Sequence, residues 1–132
     1  MGQQQLLLIV LGIIIVGIAV VVGINVFTAS SSSANRDAVI SDLTNLASMA
    51  QQYYRKPVAL GGGGNTFTGT VAWDIPPALD TTGNGIYTRT ASAAQSVTIQ
   101  GVGNETGNDG TTSVKATMVV GPNSITSTTI NN

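Results

Sequence analysis

The chain contains no cysteine and no histidine. The first absence excludes a disulfide staple and a thiolate metal site, and the second removes the commonest general base and metal ligand. Charge is scarce too: Asp, Glu, Lys and Arg make up 8% of the residues and the formal net charge is -1. That is far below ordinary globular usage, so neither nucleic acid nor an anionic membrane surface is indicated as a partner. Aromatics are only 5% of the chain; with no ligand set for a haem or metal, Tyr53 and Tyr54 make a poor conduction path. Arg36-Asp37, Asp42 and Arg55-Lys56 read as helix-face charges, and no nucleophile, base and orienting group can be nominated together. No enzymatic activity and no cofactor are expected.

What the chain does have is a long stretch without charge. No ionisable side chain precedes Arg36, and inside that stretch Leu6, Leu7, Leu8, Ile9, Val10, Leu11, Ile13, Ile14, Ile15, Val16, Ile18, Val20, Val21, Val22 and Ile24 follow one another with only Gly12, Gly17, Ala19 and Gly23 between them. As a helix this run is roughly 28 Å long, close to the thickness of a bilayer hydrocarbon core. A removable secretory signal carries a basic n-region and a small-residue cleavage site. No Lys or Arg stands ahead of the run, so the segment is expected to stay in the mature protein. Gly12, Gly17 and Gly23 each weaken a helix by about 1 kcal/mol relative to Ala, while allowing close helix approach or local unwinding.

The Ser30-Ser31-Ser32-Ser33 run has the composition of a linker, but the pattern beyond it is helical. Val39, Ile40, Leu43, Leu46, Ala47, Ala50, Tyr53 and Tyr54 recur at spacings of three and four, which gathers them on one face. Asp37 and Asp42 early and Arg55 and Lys56 late complement a helix dipole, and Pro57 stops the helix near Arg55. The organisation expected is an apolar helix over residues 1–27, an amphipathic helix over 28–56 and a small head over 57–132. If the two helical parts are collinear they form a rod of roughly 80 Å.

Beyond Pro57 the period changes to two. Phe67, Val71 and Trp73 alternate as in a strand, with Phe67 and Trp73 as anchors of a head core; Pro76-Pro77 and Gly83-Asn84-Gly85 break the run. Ile86 to Thr90 is a short strand, and Val97, Ile99 and Gly101 alternate in the next. A polar loop, Asn104 to Thr111, carries the hairpin signal Asp109-Gly110. Val114, Ala116, Met118 and Val120 alternate most cleanly, and after Gly121-Pro122-Asn123 the segment Ile125 to Ile130 returns as a last strand. The expected fold class is α+β: a long N-terminal helix packed against an antiparallel sheet of three or four strands.

An uncharged N-terminus running straight into an all-apolar helix, an amphipathic continuation and a small antiparallel sheet resemble a mature bacterial type IV pilin or pilin-like protein. The likeness is architectural over the whole chain and sequence-specific only in the apolar stretch. It implies a pilin fold, export as a prepilin, removal of a short leader by a prepilin peptidase, methylation of the new N-terminus, single-pass residence in the inner membrane, and assembly by pilus machinery into an extracellular helical homopolymer. With Met1 as the methylated terminus, Gln5 stands where such pilins carry a Glu that pairs with a neighbour's N-terminal amine. Gln accepts a hydrogen bond there without the charge-charge attraction. Cleavage after Gly2 would instead make Gln3 first and Leu7 fifth. The cysteine pair that closes the C-terminal loop of many pilins is absent.

Weaker signals have simpler explanations. Asp80-Thr81-Thr82-Gly83-Asn84-Gly85 imitates the start of a calcium loop, yet Ala91 stands where the bidentate Glu belongs, so a plain turn is favoured. Gly61 to Gly64 has no following Lys-Ser/Thr and reads as a flexible connector rather than a phosphate loop. Asn104-Glu105-Thr106 is an N-glycosylation sequon, and Ser30 to Ser33 and Thr126 to Thr129 read as solvated surface with hydroxyls open to O-linked sugar. Three functions are carried forward: the major subunit of a type IV pilus, a pseudopilin of a secretion system, or a single-pass membrane protein with a small β domain for a ligand or partner.

Overall fold

The computed structural model describes residues 2–132 and shows an α+β chain. A single helix, α1 (Gly2–Arg55), is followed by a short 3-10 turn (Val58–Leu60) and strands β1 (Gly85–Ala93), β2 (Ser96–Thr106), β3 (Ser113–Val120) and β4 (Ile125–Ile130). The chain divides into two compact units, one ending at Ser31 and the other Ser32–Asn132.

Helix α1 runs unbroken through the serine run. Serine and threonine compete with the helix only when their hydroxyls draw the backbone away from it. Here Thr28, Thr44 and Ser48 donate back to the carbonyls of Ile24, Ile40 and Thr44, four residues earlier, at 3.0, 2.9 and 3.1 Å. The helix ends at Arg55, with Lys56 alone between it and Pro57.

The second unit is built around the stripe on the last six turns of α1. Val39, Leu43, Leu46, Ala47 and Ala50 are buried, and Ile40, Tyr53 and Tyr54 pack partly buried against the same core. The sheet they meet is an antiparallel meander in the order β1-β2-β3-β4. Its inward positions follow the two-residue period of a strand: Tyr87 on β1, Val97 and Ile99 on β2, and Val114, Ala116, Met118 and Val120 on β3 are all buried. In contrast, all six residues of β4 are exposed.

Two glycines on β2 let the helix come close. A Cβ at Gly101 would lie 2.8 Å from Val39 Cγ1 and 2.9 Å from Tyr87 Cε1, and one at Gly103 would collide with the Asn35 side-chain oxygen. The inward face of β2 therefore tapers from Val97 and Ile99 to Gly101 and Gly103.

The irregular segment between α1 and β1 differs from the sequence expectation in two places. Phe67 and Trp73 are buried, but they do not belong to a strand. The Trp73 N–H donates to the Phe67 carbonyl at 2.9 Å, closing a loop in which Gly69 has φ +23° and Val71 is 76% exposed. Alternation here comes from a loop that inserts two anchors, not from a pleat. The glycine run is likewise no slack connector. Gly61 and Gly64 adopt φ of 81° and 60° and Asn65 φ of 67°, so that the N–H groups of Gly63, Gly64 and Asn65 reach the carbonyls of Tyr53, Lys56 and Tyr54 at 2.8, 3.0 and 2.8 Å. These bonds satisfy carbonyls that the end of a helix leaves orphaned.

Candidate functional site

Residues 6–24 form the most unusual surface of the chain. Every large aliphatic side chain from Leu6 to Ile24 is exposed, from 52% at Val10 to 68% at Leu7, on all sides of a regular helix. The helical backbone satisfies its own hydrogen bonds, and the segment is long and apolar enough to cross a membrane. A soluble monomer does not leave so large an apolar surface in water. Gly12, Gly17 and Gly23 have nothing within 4 Å of a built Cβ, so no contact within the chain requires glycine there. Gln5, Gly12, Ala19 and Gly23 are spaced seven, seven and four residues apart, which puts them along one line of the helix. Gln5 is exposed. The processing and methylation role assigned to Met1 lies outside the described residues.

The second unit holds a polar hub that the sequence did not reveal. Asp42, on the helix, is partly buried, and its Oδ2 accepts from the Tyr87 hydroxyl at 2.6 Å, the Asn84 amide at 2.9 Å and the Thr82 hydroxyl at 3.1 Å. Burial opposes ionisation of this carboxyl, but the three donors outweigh it and hold the group below its usual range. Tyr87 responds in the opposite sense: burial and donation to the Asp42 carboxylate push its hydroxyl well above the usual phenol range. Around the hub, Asn35 donates to the Asn84 carbonyl at 2.9 Å and accepts from the Glu105 N–H at 3.3 Å. The arrangement pins the turn before β1 to the helix.

That geometry bears on the calcium-like stretch. The Asn84 amide and the Thr82 hydroxyl point their donors at Asp42 and do not converge as oxygen ligands, and among the described residues no three of Asp, Glu, His or Cys cluster to hold a metal. The stretch is a turn, closed by the Thr82 N–H on the Gly85 carbonyl at 2.9 Å.

Asn104 lies inside β2 rather than in the loop expected from the sequence, because β2 continues to Thr106. It is exposed, and its Nδ2, the atom that a glycan would use, donates to the Gly83 carbonyl at 2.9 Å. The β2–β3 loop turns at Asp109-Gly110. Asp109 Oδ1 caps the N–H groups of Thr111 and Thr112 at 2.9 Å each, and its carboxyl is held far below the usual range by these bonds and those from the Thr112 hydroxyl and Asn132. Beside Trp73 a hollow of about 350 Å³ has walls from Tyr53, Val58 and Val71 and a carboxylate from Asp74, which pairs with Arg89 at 3.3 Å.

The described residues present an apolar surface over 6–24, a head tied together by hydrogen bonds and an uncharged edge strand, β4. Compared with protein-family models, curated proteins and solved structures, the chain finds no significant match in any of the three.

Proposed function

We propose that the chain is the major structural subunit of an extracellular type IV pilus, held in the inner membrane as a single-pass protein before a prepilin peptidase and pilus machinery assemble it. One observation carries this reading: the helix that supplies the buried stripe Val39–Ala50 is continuous with a segment whose aliphatic side chains are exposed on every side. Such a segment is stable in hydrocarbon and equally stable in a bundle of its own kind, so transfer from membrane to filament exchanges one apolar surrounding for another. Contacts between copies would add to the stability of a small head by mass action. The exposed glycines on the segment give neighbouring helices room to approach closely.

The test is electron microscopy of sheared cell-surface material with mass spectrometry of the filament band. Micrometre-long filaments containing this chain support the proposal. Recovery of the chain only as an inner-membrane monomer would sink it and favour a membrane-anchored β domain.

A further inference from the structure

Two hollows flank Asp74. The larger, about 430 Å³, is also walled by Asp80 and Arg89, so its charges offset one another in part. The other, beside Trp73, is about 350 Å³, a size that holds small organic groups. Asp74 is the only charged side chain in its walls, and alongside it stand Tyr53, Trp73, Val58 and Val71. These walls are fixed within the chain. The Tyr53 hydroxyl donates to the Val71 carbonyl and the Trp73 N–H to the Phe67 carbonyl, which ties the loop to the helix and to itself. The N–H groups of Gly61 and Gly62 donate to the carbonyls of Val58 and Pro57 at 2.9 and 3.0 Å, so the glycine turn holds its shape as well. Asp74 is oriented too: its Oδ1 accepts from the Ile75 N–H at 2.9 Å and from Arg89 Nε at 3.3 Å. Its Oδ2 has no hydrogen-bond partner among the described residues, and the side chain is 68% exposed.

Such walls select an occupant. Aliphatic and aromatic surface beside a carboxylate oxygen without a donor suits a cation on an apolar stem, the stem covering the valines and rings while the head reaches Oδ2. An anion would meet the Asp74 charge, and a neutral sugar would need more polar contacts than Thr70 and Asp74 supply. We infer that the hollow beside Trp73 binds an alkylammonium group, with Asp74 Oδ2 as acceptor for the head. The group comes either from a neighbouring copy or from a free amine. Lys56 carries the right chemistry for the first source: it is exposed, has no side-chain hydrogen bond or ion pair among the described residues, and does not line the hollow of its own chain. Only that source rests on the filament proposal.

Trp73 is the single tryptophan of the chain, so its indole N–H gives one unambiguous NMR signal. The full chain, labelled with nitrogen-15 in non-ionic detergent micelles, is titrated with n-butylammonium chloride at constant ionic strength while that signal and the Asp74 amide are followed. Both are expected to shift saturably, with a midpoint at least about tenfold lower than for n-butanol, which has the stem alone, or for ammonium, which has the charge alone; tenfold is worth about 1.4 kcal/mol. Asp74→Asn keeps an acceptor for the Ile75 N–H but loses the charge, and should raise the midpoint about tenfold. Val71→Ser changes a side chain that is 76% exposed, so it should fold normally and raise the midpoint about threefold through loss of apolar wall. A linear response, equal midpoints for butylammonium and butanol, or a folded Asp74→Asn chain with an unchanged midpoint overturns the site. A shift already present without amine at high protein concentration, reversed on dilution and missing in Lys56→Gln, assigns the group to a neighbouring copy. A shift that appears only with butylammonium, whatever the protein concentration, assigns it to a free amine. Filament formation is read separately by microscopy, so either idea can fail alone.

Discussion

Residues 2–31 and 32–55 share one helix and have opposite relations to water. In the first, aliphatic side chains cover the whole circumference and are exposed; in the second, Val39, Leu43, Leu46, Ala47 and Ala50 are buried and the opposite face is polar. Secondary structure is the same in both, so the difference lies in what each segment needs from its surroundings. The later segment finds its apolar partner in the chain's own sheet. The earlier one has to find it in lipid or in other molecules.

The sharpest way to break this comparison is to place a charge in the earlier segment. Val16→Asp puts a carboxylate among Ile13, Gly17 and Val20, at a cost of about 2.5–3.5 kcal/mol in a membrane interior. Filament yield by electron microscopy is expected to fall to background, while urea unfolding followed by Trp73 fluorescence in detergent should be unchanged. Normal yield would show that this segment is not the assembly core. Truncation exchanges the effects. Leu43→Ala removes a fully buried side chain and should destabilise the second unit by about 2–5 kcal/mol in the same unfolding measurement, whereas Leu8→Ala should leave that value within about 0.5 kcal/mol. Equal losses from both variants would abolish the distinction.

Close approach of helix and sheet is the next target. Gly101→Ala adds a Cβ within 3 Å of Val39 and Tyr87 and should cost about 1–3 kcal/mol. An unchanged urea midpoint would mean that the helix does not sit that close to β2.

A smaller effect comes from Asp42. Its folded pKa lies below the ordinary value of 3.8, so its contribution is present above that value and disappears as pH falls through the folded pKa. Thermal unfolding in detergent should show stability falling below about pH 4. Asp42→Asn should be less stable at pH 7 by about 1–3 kcal/mol, since the buried Tyr87 hydroxyl loses a charged acceptor. It should also lose less of its remaining stability between pH 4 and 2. Asp109, also depressed, titrates in both proteins, so the difference between them isolates Asp42. A parallel pH profile would reject that role.

The sequence displays these features unequally. The Val39–Tyr54 stripe is legible because a helix writes its buried face every three or four residues, and β3 is legible because Val114, Ala116, Met118 and Val120 alternate without interruption. The loop holding Phe67 and Trp73 imitates a strand, since a two-residue period records only which side chains are apolar and not what holds the backbone. Gly101 and Gly103 were open to a closer reading: two glycines on the inward register of a strand that begins Val97, Ile99 mark a place where another element comes near. The Asp42 hub offers no local signal, as its donors stand 40, 42 and 45 residues away along the chain.

Strand β4 bears on how such a chain could change over generations. Its six residues, Ile-Thr-Ser-Thr-Thr-Ile, pair with β3 through the backbone while side chains on both faces of the strand stay exposed. Selection for folding therefore acts there mainly on β-propensity and solubility, and substitutions that would be purged from β2 or β3 pass at little cost. An antibody raised against this edge would meet the part of the head that drifts most freely, whereas one directed at the turn pinned by Asp42 would meet a shape that the fold itself conserves.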